Sequence, residues 1–569
     1  MRSDLTFGEL TQLGDRGLSD PRALAPQATT YLNADARAGI GSNGKPSDTI
    51  DQAAVQLTRE SNGWAGIAGQ GTTVSYAYRS DAPFTMPSDT SGFSRFNSTQ
   101  IDQAEQSFKA WSDVANIQFV RVGSGSFGDA AYDNNATILL ANYSSGEAGA
   151  SAFANFPGSR SVSARAGDVW VNTTLSYNAA PTPLGFGSQV LTHEIGHAIG
   201  LSHPSDYNAA PDATFTYAVD ASYFEDSRQY TVMSYFGGFN TGADLPGYAF
   251  VPLVDDIAAA QLLYGPNLST RTGDTIYGFH SNAGRPWFLA VSNFDDLQFA
   301  VWDAGGNDTF DFSGFTDDQK IDLRAGFFSD VGGWRGNVSI AQGVSIENAI
   351  GGSGADSITG NDGNNSLAGG DGGDTIQGGA GHDTITAASG STYLRGGDGN
   401  DFIQGGTGFD DINGNVGNDT AHGGDGNDWV VGGKDNDILT GDNGDDIVYG
   451  NLGNDTISGD AGNDVVRGGQ GDDSLTGGPG DDWLSGDRGN DTITGGPGAD
   501  IFHTFSGAGL DRVLDFSLAE GDRVQVDAGT VYTVTQTGAD TVVDMGNGDQ
   551  LILVGVTAST LTPGWIFAA

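Results

Sequence analysis

A nonapeptide repeat between residues 351 and 503 constrains the fold of this chain more than any other feature. It comprises 17 consecutive units of the form G-G-x-G-x-D-x-U-x, in which U is apolar, and the frame never slips. Position six is Asp in 15 units, the exceptions being Asn365 and Thr392, and position eight is apolar in all 17. Unstructured Gly/Asp-rich sequence would not keep an apolar residue in register, so the repeat predicts a stacked array.

Each unit has a simple physical interpretation. Its first six residues form a glycine turn that offers carbonyl and carboxylate oxygens, the ligands that calcium prefers. Its last three residues form a short strand with one side chain pointing inward. Two units complete one coil, so each turn stacks on the turn two units later and calcium lies between stacked Asp side chains, for example Asp401 and Asp419. The sequence therefore predicts an all-β parallel β-roll that unfolds without calcium, because its carboxylates then repel one another.

The predicted calcium ligands of the roll share position six of the unit. They are Asp356, Asp374, Asp383, Asp401, Asp410, Asp419, Asp428, Asp437, Asp446, Asp455, Asp464, Asp473, Asp482, Asp491 and Asp500. Unit 387–395 has lost both leading glycines and the Asp, so we expect it to break the roll into a shorter first and a longer second piece. Residues 504–569 leave the repeat, and their strand-like stretches 511–516 and 550–556 predict a β cap.

A second motif carries chemistry. Residues 193–204 contain H-E-x-x-H-x-x-G-x-x-H, with three of the seven histidines of the chain. His193 and His197 are four residues apart and so lie on one face of a helix, where they can share an ion. Gly200 permits a left-handed turn that ends the helix and brings His203 to the same ion. Three imidazoles with one open position are typical of a catalytic zinc site, with Glu194 beside the metal.

Composition excludes several classes of function. The net charge is −48, and only eight of the 72 acidic residues are Glu. Such acidity argues against binding nucleic acid, which requires Lys and Arg, and it implies that cations are needed. The chain has no Cys and therefore no thiol chemistry. It has no apolar stretch long enough to cross a bilayer and no apolar region at its N-terminus, so we expect no transmembrane helix and either a cytosolic protein or export by another route than the Sec pathway.

Residues 45–267 predict a globular α+β domain around the histidine motif. Apolar periodicity predicts helices over 47–59, 99–114 and 252–265, and a further helix that begins near Ser188. Alternating or continuous apolar runs predict strands over 72–78, 117–122, 136–142, 152–157 and 168–172. The fourth of these stops at Pro157, as an edge strand would. An edge strand beside a metal cleft is a place where an extended peptide can add as a further strand.

A third element follows the histidine motif by about thirty residues. The stretch Val232-Met233-Ser234-Tyr235-Phe236 resembles the Met-turn of metzincins, and the chain from about Gly44 to Gly265, together with the repeat typical of RTX proteins, is similar to the serralysin family. The resemblance implies a metzincin-type zinc protease domain followed by an RTX roll. It also implies that Met233 lies beneath the zinc, that Tyr235 is a fifth ligand that swings to stabilise the transition state, and that Glu194 is the general base.

The resemblance further implies an early group of calcium ligands and a route of export. The matching positions are Arg271, Gly273, Thr275, Asp303, Gly305, Asp308, Ser345 and Glu347, with Ser345 standing where the family typically has Thr. The C-terminal end would carry the uncleaved signal for type I secretion from a Gram-negative bacterium. An array of 17 units is long for a serralysin, so the roll can also attach the enzyme to a cell surface.

These observations predict five segments. They are a leader or propeptide (1–44), the catalytic zinc domain (45–267), a β-rich entry (268–350), the roll (351–503) and the cap with its secretion signal (504–569). The predicted function is a secreted, calcium-dependent zinc endopeptidase that acts on extracellular proteins. Two alternatives stay open: a narrow processing protease for one cell-surface protein, and a calcium-stabilised surface or adhesion protein with a vestigial protease domain.

Overall fold

The computed structural model describes residues 31–87, 90–146, 151–158, 166–207 and 215–569. The first 30 residues of the predicted leader lie outside these ranges. Within them, residues 34–267 form an α/β region, and the remainder consists of long, mainly parallel β-sheets.

The α/β region is built from six α-helices and seven strands. The helices are α1 (Ile50–Thr58), α2 (Ser98–Val114), α3 (Ser176–Ala179), α4 (Phe186–Ile199), α5 (Tyr217–Asp220) and α6 (Val254–Tyr264). The strands are β1 (Thr72–Tyr78), β2 (Thr90–Ser91), β3 (Ile117–Arg121), β4 (Ile138–Tyr143), β5 (Ser145–Gly146), β6 (Ala152–Ala154) and β7 (Val169–Asn172). Short 3-10 turns connect some of them, at Ala34–Ala36, Asp129–Ala131 and Gly238–Thr241.

Five of these strands make one sheet in the order β3-β1-β4-β7-β6, and β2 and β5 form a separate antiparallel pair. All its neighbours are parallel except β6, which pairs antiparallel with β7 and forms the predicted edge. Helices α1 and α2 begin at capping boxes in which the side chain at N3, Gln52 and Gln100, bonds back to the N-cap. Their predicted apolar faces are buried, as is every residue of the central strand β4, so the elements predicted for 45–267 are confirmed.

Residues 276–350 form the entry to the roll. Its strands are β8 (Ile276–Phe279), β9 (Leu289–Ala290), β10 (Phe299–Val301), β11 (Thr309–Asp311), β12 (Lys320–Asp322), β13 (Phe328–Ser329), β14 (Val338–Ile340) and β15 (Asn348–Ile350), with 3-10 turns at Pro286–Phe288 and, near the C-terminus, Ala558–Thr560. β8, β9, β11 and β15 begin a 16-stranded sheet, and β12 begins a 12-stranded one.

Alternate units of the repeat continue these two sheets. One sheet receives β16 (Ser357–Thr359), β18 (Thr375–Ala380), β20 (Thr392–Asp398), β22 (Asp410–Val416), β24 (Trp429–Lys434), β26 (Ile447–Leu452), β28 (Val465–Gln470), β30 (Trp483–Arg488) and β32 (Ile501–Thr504). The other receives β17 (Ser366–Ala368), β19 (Thr384–Thr386), β21 (Phe402–Gln404), β23 (Thr420–Asp425), β25 (Ile438–Asn443), β27 (Thr456–Ser458), β29 (Ser474–Thr476) and β31 (Thr492–Thr494).

Successive strands of each sheet are in parallel register and come from units two apart in the repeat, for example Ile358 opposite Ile376. The apolar residues at position eight fill the space between the two sheets and are at most 1% exposed. The predicted parallel β-roll is therefore confirmed.

The roll does not break at unit 387–395, so the prediction of two pieces is wrong. Strand β20 pairs with both β18 and β22, and Leu394 is fully buried. Thr392 replaces the missing Asp in a different way, because its backbone N–H and its hydroxyl both donate to Asp410 Oδ1, at 2.9 and 2.6 Å. The strand hydrogen bonds and the apolar position carry the coil through a unit that has lost its turn residues.

The cap closes the C-terminal end of both sheets. It contains β33 (Leu510–Val513), β34 (Arg523–Val526), β35 (Thr533–Thr537), β36 (Asp540–Gly546), β37 (Asp549–Leu553) and β38 (Ile566–Ala568). β33 and β34 continue the roll in parallel, and β35, β36 and β37 end the 16-stranded sheet as an antiparallel meander. The two predicted cap strands are thus present.

Residues 31–44 of the predicted leader are packed into the fold. Tyr31 is buried and donates a hydrogen bond to Asp330 Oδ1 at 2.8 Å. The buried Arg37 makes a bidentate ion pair with Asp255, at 2.7 and 3.0 Å, and lies 3.7 Å from Glu225. The part of the predicted leader from residue 31 onward is therefore anchored to the fold through Tyr31 and Arg37.

Candidate active site

Helix α4 and the turn after it bring the three histidines together. His193 and His197 lie on one face of α4, and Gly200 ends the helix in the left-handed conformation with φ of 113°. The Gly200 and Leu201 N–H groups donate back to the last turn, which lets the chain reverse. As predicted, the reversal carries His203 to the other two, and all three rings are buried.

The donor atoms of the three rings converge on one point. His203 Nε2 lies 3.1 Å from both His193 Nε2 and His197 Nε2. Each Nδ1 faces a backbone carbonyl oxygen, that of Val232 at 2.9 Å, Leu201 at 2.6 Å and Tyr207 at 2.7 Å. A carbonyl can only accept, so each Nδ1 carries the proton and the three Nε2 lone pairs face one another.

Three mutually facing lone pairs require a cation. Burial lowers the pKa of His197 to about 4 and holds the pKa values of His193 and His203 well below their usual range, so all three rings are neutral at physiological pH. Nitrogen donors about 2.0–2.1 Å from a tetrahedral zinc lie about 3.3–3.4 Å apart, close to the separations found here. The residues present therefore fit a zinc ion.

Glu194 directly follows the first histidine, and its side chain is buried like the three rings. It is 6% exposed, and its Oε2 has no hydrogen-bond partner among the described residues. Burial raises its pKa to about 8. An unpartnered carboxylate oxygen beside a metal site is available to take a proton from, and return it to, a reacting group.

Met233 and Tyr235 both lie close to the three histidines. Met233 is fully buried, and its Sδ would lie 2.7 Å from a Cβ built on Gly196, so it packs directly beneath α4 between the two helical histidines. The Tyr235 ring lies 4.6 Å from the His203 ring and 5.9 Å from the His193 ring. Tyr235 therefore borders the metal site.

Two buried carboxylates that the sequence did not reveal hold this arrangement. Asp226 accepts hydrogen bonds from the hydroxyls of Ser205, Tyr207 and Ser234, at 2.6 to 2.7 Å. Because the Tyr207 carbonyl accepts from His203, Asp226 fixes that ligand indirectly.

Asp256 plays the same role for His193. It accepts from the Thr231 hydroxyl at 2.6 Å and from the Val232 N–H at 2.8 Å, and the Val232 carbonyl accepts from His193. The only sequence signal for Asp256 is a charged residue in the first turn of an otherwise apolar helix.

Most of the predicted early calcium ligands lie together at the start of the 16-stranded sheet. Asp308 Oδ1 accepts from Thr275 N at 2.8 Å, and Glu347 Oε2 accepts from Asp308 N at 2.7 Å. Asp303 Oδ1 accepts from Gly305 N at 2.9 Å. Asp308 Oδ2 is buried without a partner among the described residues, and burial raises the Asp308 pKa to about 7.

The remaining predicted positions differ in how closely they approach this group. Arg271 Nε lies 4.0 Å from Asp303 Oδ2. The Gly273 carbonyl oxygen and Asp308 Oδ1 approach the same point beside Gly306. If Gly306 carried a Cβ atom, both oxygens would lie within 2.8 Å of it. Ser345 is exposed, two residues before Glu347.

The roll contains a periodic set of unpartnered carboxylate oxygens. One oxygen of each Asp accepts from the backbone N–H one coil earlier, as Asp419 Oδ1 does from Asp401 N at 2.8 Å. The other oxygen is buried without a partner in 13 of the 15 predicted ligands: Asp374, Asp383, Asp401, Asp419, Asp428, Asp437, Asp446, Asp455, Asp464, Asp473, Asp482, Asp491 and Asp500. In Asp356 and Asp410 that oxygen accepts a glycine N–H of the same unit.

Comparisons with known proteins agree with this arrangement. The model of metallo-peptidase family M12 matches residues 47–243, and that of the peptidase M10 serralysin C terminal matches residues 266–528. Metallopeptidase AprA of Pseudomonas marginalis is 49% identical over 330 residues, which cover 56% of this chain and 67% of that protein. Serralysin C of Dickeya chrysanthemi is 46% identical over 321 residues, which cover 56% of this chain and 65% of that protein.

A comparison with solved structures finds the extracellular lipase LipA from Serratia marcescens, with 17% sequence identity. The match covers 50% of this chain and 47% of the lipase chain, and its TM-score of 0.19 is too low to carry an argument. Within the described ranges, none of the helices has the length and apolar character that crossing a bilayer needs.

The three-histidine site with its adjacent glutamate, on a helix beside an edge strand, defines a zinc metalloendopeptidase of the metzincin type. The aligned relatives narrow this class, although the alignment spans only about two thirds of their length. The chain belongs to the serralysin family.

Proposed function

We propose that this protein is a secreted, calcium-dependent zinc endopeptidase that hydrolyses peptide bonds of extracellular proteins. The observation that carries the proposal is the convergence of three Nε2 atoms, each oriented by a carbonyl, beside the unpartnered Oε2 of Glu194. His193, His197 and His203 would hold the zinc, which when bound lowers the pKa of water and polarises a carbonyl.

Side chains of this protein transfer the proton, stabilise the developing negative charge and support the metal site. Glu194 accepts the proton of the attacking water at Oε2 and later delivers it to the leaving amine, a transfer for which a carboxyl pKa near neutrality is suited. Tyr235, as a further ligand in the resting site, donates its hydroxyl to the oxygen of the scissile carbonyl as negative charge develops there. Met233 and Gly196 keep the base of the site rigid.

The substrate is held as an added strand. β6 is the antiparallel edge of the sheet, so its outer backbone groups are open to an extended peptide. Just after this strand, the Phe156 ring lies 5.5 Å from the His197 ring, which places the strand edge beside the metal ligands. A peptide paired with β6 would therefore run past Glu194.

Calcium is proposed for the entry site and for the roll on the same physical ground. Buried carboxylate oxygens without partners are costly unless a cation binds them. Gly441, in the unit of Asp446, shows that two oxygens approach the same point. A Cβ atom added to Gly441 would lie 2.4 Å from Asp446 Oδ2 and 2.7 Å from the Gly459 carbonyl oxygen, and both are hard oxygen ligands of the kind that calcium prefers. Extracellular calcium modules bind at about 10⁻⁴–10⁻³ M, so the roll would fold only outside the cell.

This calcium dependence supports export of an unfolded chain. We propose a type I secretion machinery of a Gram-negative bacterium as the export partner, followed by folding on extracellular calcium. The roll can in addition attach the enzyme to a cell surface. A narrow processing protease remains a second candidate within the same mechanism, whereas the intact histidine ligands and Glu194 speak against a vestigial protease domain.

The test is casein hydrolysis by refolded full-length protein, with calcium titrated and a zinc-selective chelator present or absent. Glu194→Gln is the matched variant, because it keeps size and hydrogen bonding but cannot take a proton. We expect it to bind zinc and fold on calcium normally while losing at least about 10³-fold in activity. Substantial casein cleavage by this variant, folded and loaded with zinc, would contradict the mechanism.

A further inference from the structure

Arg228 carries a positive charge beside the metal site without a carboxylate partner. Its guanidinium carbon lies 5.5 Å from the centre of the Phe186 ring and 5.2 Å from that of the Tyr248 ring. Its Nε donates to the Ser234 carbonyl at 3.2 Å. Among the described residues, no Asp or Glu lies within ion-pairing distance of it, and no acceptor faces its two terminal nitrogens.

Three other arginines with little exposure are neutralised in the fold, because Arg37 pairs with Asp255, Arg79 with Asp168, and Arg271 with Asp113. Within the described ranges, Arg335 shares with Arg228 the lack of an ion pair, but one of its terminal nitrogens is buried. The chain has 72 acidic residues, so a partly exposed guanidinium without an anion, as in Arg228, is available to bind one from a ligand. Its terminal nitrogens offer four N–H groups in the planar fork that matches a carboxylate.

The position of Arg228 connects it to the substrate cleft. Its backbone N–H donates to the Phe236 carbonyl at 2.8 Å, directly after Tyr235, and Ser234 lies between Met233 and Tyr235. Phe186 is the first residue of the zinc-binding helix. The cation therefore lies between the segment beneath the metal site and the start of that helix.

The two rings pack on each other and cover one side of the cation. Phe186 and Tyr248 lie 5.0 Å apart, and the Tyr248 N–H donates to the Leu184 carbonyl at 3.0 Å, which fixes the pair to the segment before the helix. Tyr248 is 36% exposed, so this aromatic pair reaches solvent.

We propose that Arg228 is a specificity-determining residue whose guanidinium binds the carboxylate of an acidic substrate side chain that packs against Phe186 and Tyr248, close to the scissile bond. The aromatic rings hold the methylene groups of that side chain, and the fork receives both carboxylate oxygens. This inference rests on the proposed peptidase function and names the class of side chain that the site prefers.

The experiment compares peptides that differ only by Glu or Gln at one position, scanned over three residues on each side of the cleaved bond. The two side chains have the same shape, so the ratio of their kcat/KM values isolates the carboxylate. At one position we expect the wild-type enzyme to prefer Glu by about tenfold or more, which corresponds to about 1.4 kcal/mol. Arg228→Gln should reduce this ratio to about one, and Arg228→Lys should leave an intermediate ratio.

Lys434→Gln, which removes an exposed positive charge on the roll, is the control and should leave the ratio unchanged. If Arg228 has only a packing role, Arg228→Gln will lower the kcat/KM of both peptides equally, and that result would overturn the inference. So would the absence of a Glu preference in the wild-type enzyme.

A binding measurement separates this inference from the proposed function. Fluorescence anisotropy of the same labelled peptides with zinc-loaded Glu194→Gln protein reports affinity without cleavage. A Glu preference that is lost in the Glu194→Gln, Arg228→Gln double variant supports the role of Arg228 even if wild-type cleavage is not found, and equal affinities for both peptides contradict it.

Discussion

Replacing one roll carboxylate by its amide should have opposite effects on stability with and without calcium. Asp446 Oδ1 accepts from Asp428 N at 2.7 Å, and its Oδ2 is buried without a described partner. Asp446→Asn keeps the first acceptor and replaces the second oxygen by an N–H donor that faces the Gly459 carbonyl. The substitution thus removes a proposed calcium ligand and, at the same time, a charge that the calcium-free fold cannot satisfy.

The magnitude without calcium follows from the carboxyl pKa. Burial, followed by the charges of Asp428 and Asp464, raises the pKa of Asp446 from 3.8 to about 7. At pH 7.5 this shift would cost the fold at most about 4 kcal/mol, and solvent screening at the edge of the roll reduces it to about 1–2 kcal/mol. For a unit of this size, each kcal/mol moves the melting temperature by about 2–4 °C.

The assay is circular dichroism of the full-length protein at pH 7.5. In EDTA, where the wild-type roll is expected to be unfolded, Asp446→Asn should retain more β-structure than the wild type at the same pH. In millimolar calcium it should melt lower, and the calcium concentration at half-folding should rise several-fold. Asp445→Asn is the matched control, because Asp445 is the exposed neighbour and its Oδ1 already accepts from Asn463 at 2.9 Å. A change of the same sign under both conditions would refute the reasoning.

Two further predictions concern pH and the support of the metal ligands. Without calcium, burial raises the pKa of Asp437 to about 8 and that of Asp473 to about 7, and neighbouring carboxylates add to the shift. Because these pKa values in the folded state exceed the ordinary value of 3.8, protonation of the two groups favours the folded roll. This contribution to the free energy of unfolding is fully present below about pH 4 and is lost as the pH rises through 7 to 8. Circular dichroism in EDTA should therefore show more β-structure at pH 5 than at pH 8, and the reverse order would contradict the assignment. Asp226→Ala removes the acceptor that positions Tyr207, and through it His203, so zinc affinity measured by chelator competition should fall about 10–100-fold while calcium-dependent melting of the roll stays unchanged. Unaltered zinc affinity would show that the Tyr207 carbonyl holds His203 without this support.

The parts of the fold that follow a local rule were predictable from sequence. The four-residue spacing of His193 and His197 and the left-handed Gly200 determine the geometry of the metal site within one short stretch. The apolar residue at position eight of every unit determines the roll. The helices and strands of the α/β region follow from apolar periodicity, and their ends differ from prediction by only a few residues.

The parts that depend on tertiary contacts were not predictable. Asp226, Arg228 and Asp256 act through partners in other loops and helices of the fold, and no local spacing signals them. Unit 387–395 was judged by its missing glycines, whereas the coil depends on Leu394 and on hydrogen bonds to neighbouring coils. The domain boundaries and the calcium ligands themselves stay predictions.

The buried ion pair of Arg37 limits where the N-terminal segment can be cut during maturation. Its guanidinium neutralises Asp255 on helix α6. The next residue, Asp256, accepts from the N–H of Val232, whose carbonyl holds His193. Cleavage after residue 37 would leave Asp255 and Glu225 buried without their cation, a loss of about 3–5 kcal/mol at the back of the active site. We therefore predict that a propeptide removed from the predicted leader ends before Arg37.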